Sequence, residues 1–211
     1  MSYKKQYKIN ALLLRISRHL ILNSSYLNNL GLYHGKMGIV LFFVHYARYT
    51  QKTIYNNFAE ELLDEIYKEI HLGTPTNFEN GLCGIGWGIE YLLENGFMNG
   101  DSDEILNDID KKIMELEIKW ISDKSVKKGL GGIIYYVSKR LRSKSRFLGK
   151  MPFNEEYICS ISHVIDSFQV VEDREILSSI YQTSPITENF YNSSLGLFEG
   201  CAGMGINTIL R

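Results

Sequence analysis

Residues 80–93 read Asn80-Gly81-Leu82-Cys83-Gly84-Ile85-Gly86-Trp87-Gly88-Ile89-Glu90-Tyr91-Leu92-Leu93. A polar capping residue, Asn80, a glycine-spaced turn and an apolar run mark the start of a buried helix. The same order recurs three times. His34-Gly35-Lys36-Met37-Gly38-Ile39 leads into Val40-Leu41-Phe42-Phe43-Val44, Lys128-Gly129-Leu130-Gly131-Gly132-Ile133 follows later, and Glu199-Gly200-Cys201-Ala202-Gly203-Met204-Gly205-Ile206 comes last. The leading glycines, at 35, 81, 129 and 200, are 46, 48 and 71 residues apart. A period of that size is the signature of a helical-hairpin repeat. Glycine inside a helix costs about 1 kcal/mol relative to alanine, so several per repeat need a reason. Close approach of helices that lack Cβ atoms supplies one.

Between the glycine motifs lie amphipathic stretches, and the whole pattern predicts inner and outer helices in alternation with no strand. The first outer helix covers about Lys5 to Asn23, with Ile9, Leu12, Leu13, Ile16 and Leu20 on one face. The next carries Ile54, Phe58, Leu62, Ile66 and Ile70 inward, and Thr74-Pro75-Thr76 ends it. Gly96 suits a left-handed cap to the second inner helix. Asp101 or Ser102 then caps a third outer helix through Ile121, with Ile105, Ile109, Ile113, Leu116 and Trp120 inward. After the third inner helix, Glu155 to Phe168 and Glu172 to Gln182 fill the longer last spacing. Residues 39–44 are apolar on every side, as a fully buried helix requires.

The chain has 211 residues, 45% of them hydrophobic, and a formal net charge of −1. This length fits one domain over 1–211 with a sizeable core. Nothing in the charge points to nucleic acid. No apolar run is long enough to cross a membrane, and the N-terminal stretch is broken by Arg15, Arg18 and His19 as a targeting peptide would not be. Three cysteines without disulfide or metal spacing suggest reduced thiols in a cytoplasmic protein.

The glycine turns, the lead-in Gly31-Leu32-Tyr33-His34-Gly35 and the closing Leu195-Gly196-Leu197-Phe198-Glu199-Gly200 resemble the lanthionine synthetase C-like proteins. The resemblance runs through all four repeats. It implies an all-α fold, an α/α toroid in which inner-helix N-termini carry such motifs. Family members have more hairpins than four, so a smaller closed ring and an incomplete one are both open. In the open case, apolar flanks on the first and last inner helices predict self-association or a partner, because no outer helix follows Met204, Ile206, Ile209 and Leu210.

The resemblance also implies modification or maturation of a ribosomally made peptide, as in lantibiotic biosynthesis. The family's cyclases use zinc held by two cysteines and a histidine to activate a thiol. Here the nearest match to the Cys-His ligand pair is Tyr33-His34-Gly35, and neither Trp87 nor Trp120 has a neighbouring cysteine. The usual ligands are therefore not recognisable, no metal site is assigned, and catalytic activity is left open. A noncatalytic peptide-binding protein or scaffold for another maturation enzyme is the alternative, and a hydrolase on a similar ring would need paired carboxylates such as Glu199 and Glu79.

Parallel inner helices would gather unsatisfied N–H groups at one end, suited to a carboxylate, thiolate or peptide carbonyl. His34, as acid or base, and Lys36, Cys83, Glu199 and Cys201, as substrate contacts, lie in or beside those turns. Cys83 and Cys201 read first as small apolar residues at a tight contact, and only secondarily as zinc ligands with His34. Cys159 reads as core, and His45 as a satisfied core histidine. Charge is segregated: residues 58–117 carry 15 acidic and 3 basic side chains, whereas 124–150 carry 9 basic and no acidic ones. The group Lys139, Arg140, Arg142, Lys144, Arg146 and Lys150 suits a helix C-terminal dipole or the docking of an acidic leader or partner.

Overall fold

The computed structural model describes residues 3–71, 73–145, 151–165, 168, 172–182 and 189–210. Among them ten α-helices follow in order: α1 (Tyr3–Asn23), α2 (Lys36–Thr50), α3 (Thr53–Glu69), α4 (Leu82–Glu94), α5 (Ser102–Ile105), α6 (Asn107–Met114), α7 (Leu130–Arg142), α8 (Glu155–Ile165), α9 (Asp173–Tyr181) and α10 (Cys201–Leu210). No strand occurs among the described residues, only an isolated bridge between Ser194 and Gly200. The fold is all-α, as the repeats require. The chain forms two compact units, Met1–Ile70 with Arg174–Arg211, and His71–Asp173.

In the first unit α2 packs against α3 and α10, and α1 packs on α10. Gln51 adopts a left-handed conformation to end α2, and its N–H donates to the Ala47 carbonyl. Every residue from Lys36 to Ala47 is buried, so the all-round apolar run behaves as its composition demands. A Cβ on Gly205 would fall on the Phe42 ring, well inside 3.0 Å; the bare glycine is what lets the α10 backbone rest on that ring. The flank that an open ring would leave bare on the final helix is therefore filled in part, and Leu210 stays exposed. Met204 and Ile206 are buried, with α1 and α2 as cover. Ile54, expected to face inward from α3, is exposed, because Ala59, Leu62 and Ile66 alone supply that helix's buried face.

In the second unit α4 packs on α7, and Gly86 lies under the Tyr136 ring. Gly96 takes the left-handed cap with φ 64°. Its N–H donates to Leu93 and that of Phe97 to Leu92, the paired bonds of a Schellman ending. The third outer helix is not the single run expected. Asp101 caps a four-residue helix by accepting from the Asp103 N–H, Leu106 departs from helical dihedrals, and α6 stops at Met114. A 3-10 turn over Ile118–Trp120 follows. Helical periodicity no longer reaches position 120, so Ile118 takes the buried place and Trp120 is 83% exposed.

All four inner helices begin alike. The first helical N–H donates to the carbonyl seven residues back: Lys36 to Asn29 at 2.8 Å, Leu82 to Pro75 at 2.8 Å, Leu130 to Asp123 at 2.8 Å and Cys201 to Ser194 at 2.7 Å. The second repeats the offset in three of them, Met37 to Leu30, Cys83 to Thr76 and Ala202 to Leu195. The lead-in loop thus folds back and caps its own helix with backbone. Gly35, Gly81 and Gly129 occupy the N-cap with extended dihedrals and no side-chain cap bond. Asn80, expected as the cap, stands one residue before it. At each N-cap glycine a Cβ would meet lead-in backbone oxygen well inside 3.0 Å, which is why glycine stands there.

Candidate functional site

The backbone caps change what the helix starts can offer. The first N–H groups, expected to be open for an anion or carbonyl, are already taken by the lead-in loops. What the loops present instead is their tips, and in the first unit two tips meet. The Phe198 N–H donates to the Tyr33 carbonyl at 3.0 Å. The Phe198 ring stands edge-on to Tyr33 at 5.8 Å and to His34 at 5.6 Å. Gly196 permits this, since a Cβ there would strike the Tyr33 carbonyl and the His34 backbone. His34 and Phe198 are half-buried and Glu199 is exposed. Glu199 has φ 51°, a left-handed conformation that L side chains seldom adopt. The Cys201 and Ala202 hydrogen bonds to Ser194 and Leu195 brace the turn on either side of it.

The other sequence candidates lie deeper. Lys36 is buried at the start of α2, and its ammonium is 2.9 Å from both Glu65 and Glu69 of α3. Burial would lower its pKa, but hydrogen bonds and charge from the two glutamates outweigh that and raise it. Cys201 is buried, and its thiol lies 3.5 Å from the Phe190 carbonyl it donates to. Burial pushes that thiol up to about 11. Cys83, in the second unit, has no solvent exposure, and burial together with the Asp110 charge pushes its thiol up further. Burial and Arg48 push buried His45 down to about 4. It is a neutral core histidine at ordinary pH.

A family model described as lanthionine synthetase C-like protein matches residues 26–184. The chain belongs to the lanthionine synthetase C-like family. Comparison with curated proteins and with solved structures found no match. The all-α hairpin repeats read from the glycine spacing are those of the α/α toroid class to which this family belongs.

Zinc, which the lanthionine synthetase C-like enzymes use, takes cysteine as thiolate. The donor set of the described residues does not fit it. Among the described residues no three His, Cys, Asp or Glu side chains are grouped to hold a metal ion, and the two motif thiols, Cys83 and Cys201, are each fully buried. Cys159, expected in the core, is exposed on α8, because Tyr157 and Ile161 form the buried face of that helix. In the folded protein one thiol, Cys159, should react rapidly with a thiol-specific reagent, rising to three after denaturation. A second fast thiol before unfolding would show that Cys83 or Cys201 is open to solvent.

The lanthionine synthetase C-like fold of the second unit also hides a polar cluster that the motifs did not announce. Arg140 of α7 is fully buried. Its guanidinium reaches Asp110 of α6 at 2.7 Å, Glu90 of α4 at 3.1 Å, and Asp103 and Ser102 of α5 at 3.1 and 3.0 Å. Tyr136 donates to Asp110 at 2.5 Å, and Ser143 donates to Glu90. Burial raises the pKa of Glu90 and of Asp110, opposed by their bonds to Ser143 and Arg140 respectively and by the Arg140 charge. Lys139, one residue before, pairs with Glu94 and Asp173. These two cations, read from sequence as dipole partners or a docking surface, are therefore consumed inside the unit. Arg146 and Lys150 of the same group lie outside the described residues. One signal was visible: Glu90 interrupts the apolar body of α4, well before the acidic end at Glu94, and a buried charge needs a partner.

Proposed function

We propose that this chain takes part in the maturation of a ribosomally made peptide, and that its own contribution is to bind the peptide at the joined tips of the first and last glycine loops. Membership of the lanthionine synthetase C-like family supports the peptide. The observation that carries the surface is the meeting of His34, Phe198 and Glu199, which combines a titratable ring, a half-exposed aromatic face and a carboxylate held in left-handed backbone. An apolar peptide side chain would rest on Phe198, a basic or hydroxyl-bearing neighbour would meet Glu199, and the His34 ring would extend the aromatic edge. Burial of Cys83 and Cys201, the two thiols of the glycine motifs, favours binding over thiolate chemistry at those motifs.

The test is fluorescence anisotropy with a labelled precursor-type peptide rich in Ser, Thr and Cys, with mass spectrometry on the same mixture. Phe198→Ala and Glu199→Lys should each weaken binding about tenfold or more, which corresponds to about 1.4 kcal/mol, while leaving helical content unchanged. Equal affinity in both variants removes this surface from the function. Loss of free peptide thiols on incubation with the chain and zinc would reject the binding-only role.

A further inference from the structure

A second feature lies on α1. This helix carries five cations, Lys4, Lys5, Lys8, Arg15 and Arg18, and no acidic residue anywhere from Tyr3 to Asn23. Its buried face is made by Leu13, Ile16, Ser17 and Leu20. Beyond that face the helix keeps a second apolar stripe in solvent: Tyr3 is 91% exposed, Tyr7 is 72% exposed, and Leu14 and Ile21 continue the line at seven-residue intervals. At about 100° per residue these four fall on one side of the helix, and Lys4, Lys8, Arg15 and Arg18 form the strip next to it. Among the described residues Lys4, Lys5, Lys8 and Arg18 have no carboxylate partner. Arg15 lies over the Phe190 and Tyr191 rings.

We propose that α1 is a membrane-surface helix that seats this protein on anionic lipid. The charge complementarity is one-sided, since five cations without a single anion suit a surface of uniform negative potential. The exposed stripe supplies the second signal that stable peripheral binding needs, and tyrosine is a residue that settles at the headgroup level. Lysine stems extend to headgroup phosphates while their methylenes cover apolar surface. The helix lies in the interface and does not cross it, as none of the described helices is long and apolar enough to span a bilayer.

Co-sedimentation of the full chain with vesicles tests this. Phosphatidylcholine vesicles containing about one third phosphatidylglycerol should carry the protein down at low salt, phosphatidylcholine alone should not, and roughly 0.5 M salt should release it as charges are screened. Reversing Lys4, Lys5 and Lys8 to Glu should weaken the association about a hundredfold or more, as each basic residue near an anionic surface contributes severalfold. Tyr3→Ser with Tyr7→Ser should weaken it at unchanged charge. All five positions are solvent-facing, so circular dichroism should report intact folding in both variants. Absence of binding to the anionic vesicles, equal binding to neutral ones, or indifference to charge reversal overturns the proposal. Binding to polyglutamate without binding to vesicles would assign the helix to an acidic protein instead.

Discussion

Arg140→Met should destabilise the protein by about 3–5 kcal/mol, enough to unfold many domains. The wild-type guanidinium answers carboxylates from three helices, Glu90, Asp103 and Asp110, at distances of 2.7–3.1 Å. Methionine fills most of the volume but leaves those acids facing one another without a counter-charge, and a stranded buried charge costs more than the pair contributed. Urea denaturation followed by circular dichroism measures the change. A loss below about 1 kcal/mol would mean that the cluster is solvated and that Arg140 does not hold the α4, α5, α6 and α7 side chains together.

Glu90→Gln makes the contrast. Folding raises the Glu90 pKa above its ordinary value of 4.5, so the folded state binds the proton more tightly. That contribution favours folding at low pH and fades as pH rises from about 4.5 through the folded value. The Gln variant should lose less than Arg140→Met and should flatten this limb of the stability curve.

Gly81→Ala should cost about 2–4 kcal/mol despite adding a single methyl group. Its Cβ would sit against the Pro75 carbonyl and the Asn77 oxygen, both backbone, and Pro75 is the acceptor that caps α4. Neither atom can rotate away as a side chain would, so the lead-in loop has to open and surrender the helix's first hydrogen bonds. Gly96→Ala is the control. Nothing lies within 4 Å of a Cβ there, and only the left-handed φ of 64° opposes it, which costs about 1–2 kcal/mol. Thermal melts that place Gly81→Ala no lower than Gly96→Ala would remove the steric role assigned to the N-cap glycines.

The inner helices were legible because two signals coincide at each of them. Glycine spacing marks the start and unbroken apolar runs such as residues 39–44 mark the body, so α2, α4, α7 and α10 begin within a residue or so of their expected positions. Outer helices rest on one apolar stripe each, and a stripe can be read through an interruption. That is how α5, α6 and the turn over Ile118–Trp120 read as one helix with Trp120 inward. The meeting of His34 with Phe198 was beyond reach for a different reason. Some 160 residues separate them in sequence, and the contact depends on Gly196 and Gly38 admitting neighbouring backbone and the Leu197 side chain. The Arg140 cluster was hidden by composition, since its acids come from a region dominated by exposed ones and only burial distinguishes Asp110 from Asp108.

The seven-residue backbone caps have a consequence for how much the loop tips can vary. A helix start secured by a side chain ties that residue's identity to stability, so a change there trades shape against recognition. Here the securing atoms are carbonyls and amides, which every amino acid carries. The residues immediately before the four leading glycines, His34, Asn80, Lys128 and Glu199, are correspondingly unlike: an imidazole, an amide, an ammonium and a carboxylate on the same mount. Each hairpin behaves as a socket whose fitting can be exchanged without rebuilding the handle.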